Sequence, residues 1–477
     1  MPQKPNIPTV LIILGATGDL MTKKVIPALF YLHEQSKLPE QFKIIGFSRR
    51  DLTDEHFKTH IIDIVDRAYP GHTSQTKAAF LDLFLFQRGN FDVREDFGYL
   101  AKLLGAVDSQ WGVCANKLFY LAVHPNHFET IFTNMAHAGL TIGCGPNEGW
   151  TRVIVEKPFG NDLSSAKQLD DTIRSYFQEE QIYRIDHYPA KEVLQNILSF
   201  RFSNKLFEQS WNNEHIESVH IRLWETLGVE KRGAFYDAVG ALRDMGQNHV
   251  LQIIALLTMD HPESYHASSI RKKRAEILER LVVPTRDEVL ASTYRAQYHG
   301  YRSIANVHPA SETETYFRAR AYLDTPRWCG VPFIFESGKR LGEARKEIIV
   351  TFKHPSPCLC LGDGHHLKNI VTFHIEPEER LSLQLGTKKP GLLYDVEERM
   401  VHMPYSQGPS LQYAANYAKL LYDAIVGDQT LFTSTEEIHS TWRFIDPIIE
   451  HWNQGVVPLA VYTPDTNEPI QGRRTAL

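Results

Sequence analysis

The residues able to do chemistry lie in a few short stretches. Ala241–Leu257 is apolar with a helical pattern, yet Asp244, Gln247, Asn248 and His249 fall within one turn and a half of it. Such groups are costly inside an apolar helix unless they are paired or line a pocket. A lone histidine there reads as a core residue, but four polar side chains together read as a pocket wall. Imidazole titrates near neutrality and suits the work of a general base, above all when a carboxylate fixes its tautomer. In an alcohol oxidation such a base takes the hydroxyl proton while hydride leaves the same carbon.

Two more stretches supply partners. Arg184-Ile-Asp186-His187-Tyr188-Pro189-Ala190-Lys191-Glu192 leads into a predicted helix, Lys191–Phe200. His187 and Lys191 are four apart at its start, where free N–H groups favour a dianionic phosphate, and Pro189 fits the first turn. The plainer reading is a solvated helix start. Val155-Glu156-Lys157-Pro158-Phe159-Gly160 ends a predicted parallel strand, so Lys157 points into the crevice where ligands bind. Pro158 holds Lys157 extended and admits a cis bond. An ordinary strand-end lysine before a turn proline fits those residues equally well.

A nucleotide site is legible at the other end. The first apolar run enters Gly15-Ala16-Thr17-Gly18-Asp19-Leu20 and then a helical pattern. Small residues allow a tight turn, and the helix start offers N–H groups to a phosphate. The spacing is GxxGDL rather than GxGxxG, so its position at the head of a βαβ array carries the argument. The second run ends in Gly46-Phe47-Ser48-Arg49-Arg50, where a NAD site would place an acid for the ribose 2′-OH. Arginine suits a 2′-phosphate, which favours NADP, and Asp51 reads as the next N-cap.

These stretches need elements to position them. Up to about residue 185, apolar runs (Val10–Leu14, Lys43–Phe47, Phe84–Phe86, Lys117–Val123, Arg152–Val155) alternate with helical patterns such as Lys23–Gln35, Glu55–Arg67 and Asn126–Ala138. That alternation predicts a parallel sheet covered on both faces. Beyond about residue 200, strands of mixed polarity (Ser218–Leu223, Thr315–Leu323, Glu347–Phe352, Asn369–Ile375, Arg380–Leu385) predict a mostly antiparallel sheet. Helical stretches at Ala241–Leu257, Ile270–Arg280 and Tyr413–Val426 interrupt it. The expected architecture is α/β followed by α+β. Residues 1–185 form a Rossmann-like NADP-binding domain, and residues 186–477 a larger domain for substrate binding and oligomerisation.

Composition narrows the class. The chain has 477 residues, and 51 Lys+Arg against 57 Asp+Glu leave a net charge of -6, which argues against a nucleic-acid binder. No run approaches the ~18 apolar residues of a membrane span, and Met1–Pro8 lacks the apolar core of a signal peptide, so a cytoplasmic protein without a membrane partner is expected. Cys114, Cys144, Cys329, Cys358 and Cys360 are odd in number and irregular in spacing. A disulfide framework is not expected, nor is a metal. The basic run Arg271–Arg274 and His365-His366 read as solvated surface, and the tail beyond Tyr462 as loosely held.

Taken together, Gly15–Leu20, Val155–Gly160, Arg184–Lys191, Arg243-Asp244-Met245-Gly246-Gln247-Asn248-His249, Arg327–Pro332 and Ser337–Leu341 resemble glucose-6-phosphate dehydrogenases. Gly427–Phe432 and Trp442–Asp446 extend the likeness over nearly the whole chain. The resemblance implies His249 as base at the sugar C1 hydroxyl, with Asp186 orienting it. It implies that His187, Tyr188 and Lys191 hold the 6-phosphate, that Glu225 and Asp244 bind sugar hydroxyls and that Lys339 touches substrate. Lys157 would sit between substrate and coenzyme. Gly15, Thr17, Gly18, Asp19, Leu20 and Arg49 would surround NADP, with Ala122–Pro125 on its nicotinamide side. Homodimers or homotetramers are implied as well.

Departures from the family pattern are Pro189-Ala190 for Leu-Gly, Gly246 for a bulkier residue, His124 for Pro and Glu336 for Arg. The residues without the resemblance reach a phosphorylated polyol or sugar. The rival readings are an NAD(P)-dependent dehydrogenase of another sugar and a non-catalytic NADP-binding regulatory protein.

Overall fold

A computed structural model of the chain describes residues 7–145, 148–355, 367–405, 409–467 and 469. Cys358, Cys360 and His365-His366 lie outside them. Six parallel strands form the first sheet: β1 (Thr9–Leu14), β2 (Phe42–Ser48), β3 (Phe84–Arg88), β4 (Asn116–Leu121), β5 (Thr151–Glu156) and β6 (Ile182–Ile185). Their order is β3-β2-β1-β4-β5-β6, so the winding reverses between β1 and β4, and a ligand crevice belongs at that switch point. All six residues of β1 are buried, as a strand covered on both faces requires.

The second sheet has nine strands: β7 (Ile216–Trp224), β8 (Thr293–Tyr298), β9 (Tyr316–Ala321), β10 (Phe333–Gly338), β11 (Arg345–Phe352), β12 (Ile370–Glu376), β13 (Arg380–Lys388), β14 (Val396–Pro404) and β15 (Leu459–Tyr462). Their order is β14-β13-β12-β11-β7-β10-β9-β8-β15, antiparallel except for β7 with β10 and β8 with β15. One core cluster runs from Val10, Ile12 and Leu14 of β1 through the helix Glu192–Phe202 to Ile348 and Phe373 of the large sheet. A second lies on the opposite face of the first sheet, where the late helix Pro409–Val426 contributes Tyr417, Leu420, Leu421 and Ile425.

Several local expectations are corrected. Thr53 rather than Asp51 caps the helix Asp54–Ala68, accepting from His56 N, while Asp51 pairs with Arg88 at 3.0 Å. The basic run is split by its helix: Arg271 and Arg274 are buried, held by Glu179 and Glu437. Beyond Tyr462 the chain is tied down as far as it is described, with Asp465 paired to Arg340. Cys114 and Cys144 form a disulfide between the loops leading into β4 and β5. Among the described residues, no helix is long and apolar enough to cross a membrane.

Candidate active site

The coenzyme half of the cleft opens at the switch point. Gly15 follows β1 with φ of +89°, and a Cβ there would meet the Ala122 carbonyl oxygen at 2.7 Å. Only glycine fits a turn this close to the end of β4. The Thr17 and Ser48 hydroxyls hydrogen-bond at 2.9 Å, joining the turn to the end of β2. Gly15, Thr17, Gly18, Ser48, Arg49, Arg50 and Ala122–His124 line a cleft of about 950 Å³, so a shaped cradle and two exposed guanidinium groups suit a phosphorylated dinucleotide. Asp19 is not on this wall; its carboxylate turns out to Lys23 at 3.0 Å. Leu20 lines an adjoining cavity.

That cavity, about 1160 Å³, shares Ala122, Val123 and His124 with the coenzyme cleft, so the two are continuous. Its floor is the segment Leu242–Val250, wound in wide π-type turns before an ordinary helix, Leu251–Thr258. The segment is anchored where it starts: Glu314, buried and with its carboxyl pushed up by that burial, accepts from Leu242 N at 2.8 Å. Gly246 also has a packing reason, since a Cβ would come within 2.8 Å of Leu242 Cδ1 and 3.2 Å of Phe317.

His249 is buried and gripped from two sides. Its Nδ1 lies 2.6 Å from Asp186 Oδ1 and its Nε2 2.9 Å from Lys157 Nζ. Lysine can only donate, so Nε2 is the acceptor and Nδ1 carries the proton. Asp186 therefore selects the tautomer that leaves a lone pair facing the cleft. Burial, reinforced by the Lys157 charge, holds His249 well below its ordinary range, in the neutral form a base needs. Burial raises the Asp186 carboxyl, against the pull of His187 and the Tyr188 N–H, which donates to Oδ1 at 2.9 Å. The Tyr188 ring stacks on His249 with centroids 4.1 Å apart.

Around this pair the remaining groups converge. Lys157 Nζ also donates to Asp244 Oδ1 at 3.1 Å, and burial's upward push on Asp244 is overcome by Lys157 and Lys339, leaving its carboxyl well below the carboxylate range. Lys339 pairs with Glu225, and both line the cavity with His187, Tyr188 and Lys346. The Tyr188 hydroxyl is buried beside Lys346. Lys157, His187, Tyr188, Glu225, Asp244, His249 and Lys339 thus line one cavity, whereas Lys191 is not on its wall. Gln247 and Asn248 of the same segment line a neighbouring pocket instead, Gln247 turning its amide to Thr441 at 2.9 Å.

Two parts of the phosphate reasoning are corrected. Pro189 sits in a turn ahead of the helix, which begins at Glu192 with Lys191 as N-cap. The Val193 N–H at the helix start accepts no ligand role, because it donates to Glu379 at 2.8 Å. The cations near this helix start are side chains: Lys191, its N-cap, and Lys346 on the cavity wall. Lys346 and Glu376 were not foreseen: Lys346 Nζ lies 2.7 Å from Glu376, which also pairs with Lys191 at 2.7 Å. Burial alone would lower Lys346, but Tyr188, Glu376 and Glu225 outweigh it and hold its ammonium well above the usual range. A signal existed for Glu376, since Glu376-Pro377 repeats at the end of β12 the charged residue–proline pattern of Lys157-Pro158 at the end of β5.

Comparison with known proteins agrees over the full length. Residues 12–196 match the family described as glucose-6-phosphate dehydrogenase, NAD binding domain, and residues 198–476 its C-terminal domain. A glucose-6-phosphate 1-dehydrogenase of Chlamydia muridarum is 36% identical over 462 residues, covering 94% of this chain and 91% of the relative. That of Bacillus subtilis is 36% identical over 467 residues, covering 94% and 92%. Among solved structures, a glucose-6-phosphate dehydrogenase in complex with its substrate glucose-6-phosphate superposes with a TM-score of 0.87 at 29% identity, covering 97% of this chain and 96% of that one. The Mycobacterium avium enzyme gives 0.81 at 28%, covering 95% and 94%.

Proposed function

Because the chain belongs to the glucose-6-phosphate dehydrogenase family, with both family domains matched end to end, we propose that the cleft is its active site and assign roles within it. The enzyme oxidises glucose 6-phosphate to 6-phosphogluconolactone. NADP supplies the hydride acceptor when bound. Gly15, Gly18, Thr17 and Arg49 hold it, Arg49 reading the 2′-phosphate, while Asp51 next to it in sequence is engaged by Arg88.

His249 Nε2 takes the C1 hydroxyl proton, and Asp186 stabilises the imidazolium that forms. Lys157 occupies the Nε2 lone pair in the free enzyme, so the sugar hydroxyl must replace its N–H there. Lys157 stays anchored on Asp244 between the two ligands. Glu225 and Asp244 accept from sugar hydroxyls, with Lys339 donating. His187, Tyr188, Lys191 and Lys346 surround the 6-phosphate. The observation that carries this reading is the Asp186–His249–Lys157 chain facing a cavity walled by lysines.

The deciding measurement is steady-state turnover of glucose 6-phosphate and of glucose, each with NADP and NAD. Strong preference for glucose 6-phosphate and NADP is expected; equal rates on the two sugars would remove the phosphate assignment.

The chain is further read as a homodimer or homotetramer. Leu385, Leu392, Leu393, Tyr394, Met400, Val401 and Met403 are exposed on and between β13 and β14, an apolar surface that a second copy would cover. A monomeric mass in light scattering would overturn this.

A further inference from the structure

The proposed phosphate grip already contains an anion of its own. Glu376 ends β12 beside Lys346, which lines the cavity, and its two carboxylate oxygens bridge two cations: Oε1 accepts from Lys191 Nζ at 2.7 Å, and Oε2 lies 2.7 Å from Lys346 Nζ. Glu225 Oε1 adds a second carboxylate 3.5 Å from Lys346 Nζ. The lysine side chains are only 8% and 13% exposed while the carboxylate is 41% exposed, so water screens these pairs in part. Burial pushes the Glu376 carboxyl up, but Lys346 and Lys191 overcome this and keep it ionised.

A carboxylate bridging two ammonium groups makes the contacts that two oxygens of a phosphate would make. An arriving dianion therefore meets two neutralised cations and a like charge beside them, rather than two free cations. A neutral 6-hydroxyl meets no such opposition and can donate to Glu376. The Glu376 side chain is 41% exposed and its ion-pair partners are these two lysines, so its charge acts on them and on whatever else binds them.

We infer that Glu376 is a specificity-determining residue: its carboxylate competes with the substrate's phosphate for Lys191 and Lys346, and so narrows the preference for a phosphorylated sugar over the free sugar. The inference rests on reading those lysines as the phosphate site.

Glu376→Gln keeps the size and one acceptor oxygen while removing the charge. The expected result is a fall of about tenfold in KM for glucose 6-phosphate with little change in kcat, the effect of removing one partly screened like charge. The inhibition constant of inorganic phosphate, measured against glucose 6-phosphate, should fall in parallel. KM for NADP should stay put, which reports an intact fold, and kcat/KM for glucose should not rise.

In a Lys346→Met background, which weakens phosphate binding, adding Glu376→Gln should restore part of the loss. A rise in both KM and the phosphate inhibition constant would instead make Glu376 an organiser of the lysines and overturn the inference, as would no change in either. The wild type tests the parent reading separately. No preference for glucose 6-phosphate and no inhibition by phosphate would remove the grip itself. A wild type that shows both, with an unresponsive Gln variant, removes only the role of Glu376.

Discussion

On the coenzyme side of the cleft the decisive geometry is local, whereas on the substrate side it is assembled from distant parts of the chain. Gly15 and Gly18 belong to one turn after β1, closed by the Gly18 N–H on the Gly15 carbonyl at 3.0 Å. Across the cleft, Asp186 and His249 are 63 residues apart, Lys157 and His249 are 92 apart, and Lys191 and Glu376 are 185 apart. The first kind of site depends on backbone shape, and its exposed arginines add affinity. The second depends on buried charges satisfying one another, where removing one partner leaves another unpaired. Damage on the coenzyme side should therefore appear in NADP binding, and damage on the substrate side in turnover.

The largest break should come from His249→Asn. Loss of the base is expected to lower kcat by about a thousandfold or more while NADP still binds, as coenzyme fluorescence titration would report. Asp186→Asn, which leaves Nδ1–H without its carboxylate, should fall in the same direction. Substantial residual turnover in either would show that the proton leaves by another route.

Gly15→Ala attacks the other half through the backbone. With φ of +89° and Ala122 O only 2.7 Å from the new Cβ, it should cost about 1–3 kcal/mol of stability, seen as a lower Tm, and raise KM for NADP. An unchanged Tm would mean that the turn opens freely. Arg49→Ala tests side-chain recognition alone. KM for NADP should rise about tenfold and KM for NAD hardly at all; a parallel rise would show that Arg49 does not read the 2′-phosphate.

The smallest effect concerns pH. His249 works only when neutral, and burial with Lys157 depresses its pKa below the ordinary 6.5. Protonation then sets in only as pH falls through that depressed value, so the acid limb of kcat/KM should have its midpoint below 6.5 once the substrate's own phosphate ionisation is allowed for. A limb above 6.5 would mean that burial and Lys157 do not hold His249 neutral in the working enzyme.

Legibility follows the same division. The parallel strands could be read from continuous apolar runs, because a strand buried on both faces needs them. β14 could not: Val-Glu-Glu-Arg-Met-Val-His-Met-Pro is largely exposed at the sheet's edge and shows no core face. Lys346 and Glu376 escaped notice because each is an unremarkable charge at a strand end until β11 and β12 pair and bring both to Lys191. Arg271 and Arg274 read as surface because their buried partners, Glu179 and Glu437, come from other elements.

The sequence by itself determined the coenzyme turn, the arginine at the end of β2 and the company of polar residues around His249. Those depend on backbone permission and on the cost of polar groups in an apolar helix, both local properties of the chain. Only the tertiary structure decided which ammonium faces the His249 lone pair and which anion bridges Lys191 and Lys346. Hydrogen-bonded contacts between charged groups form only within about 3 Å, and only the folded chain specifies those separations.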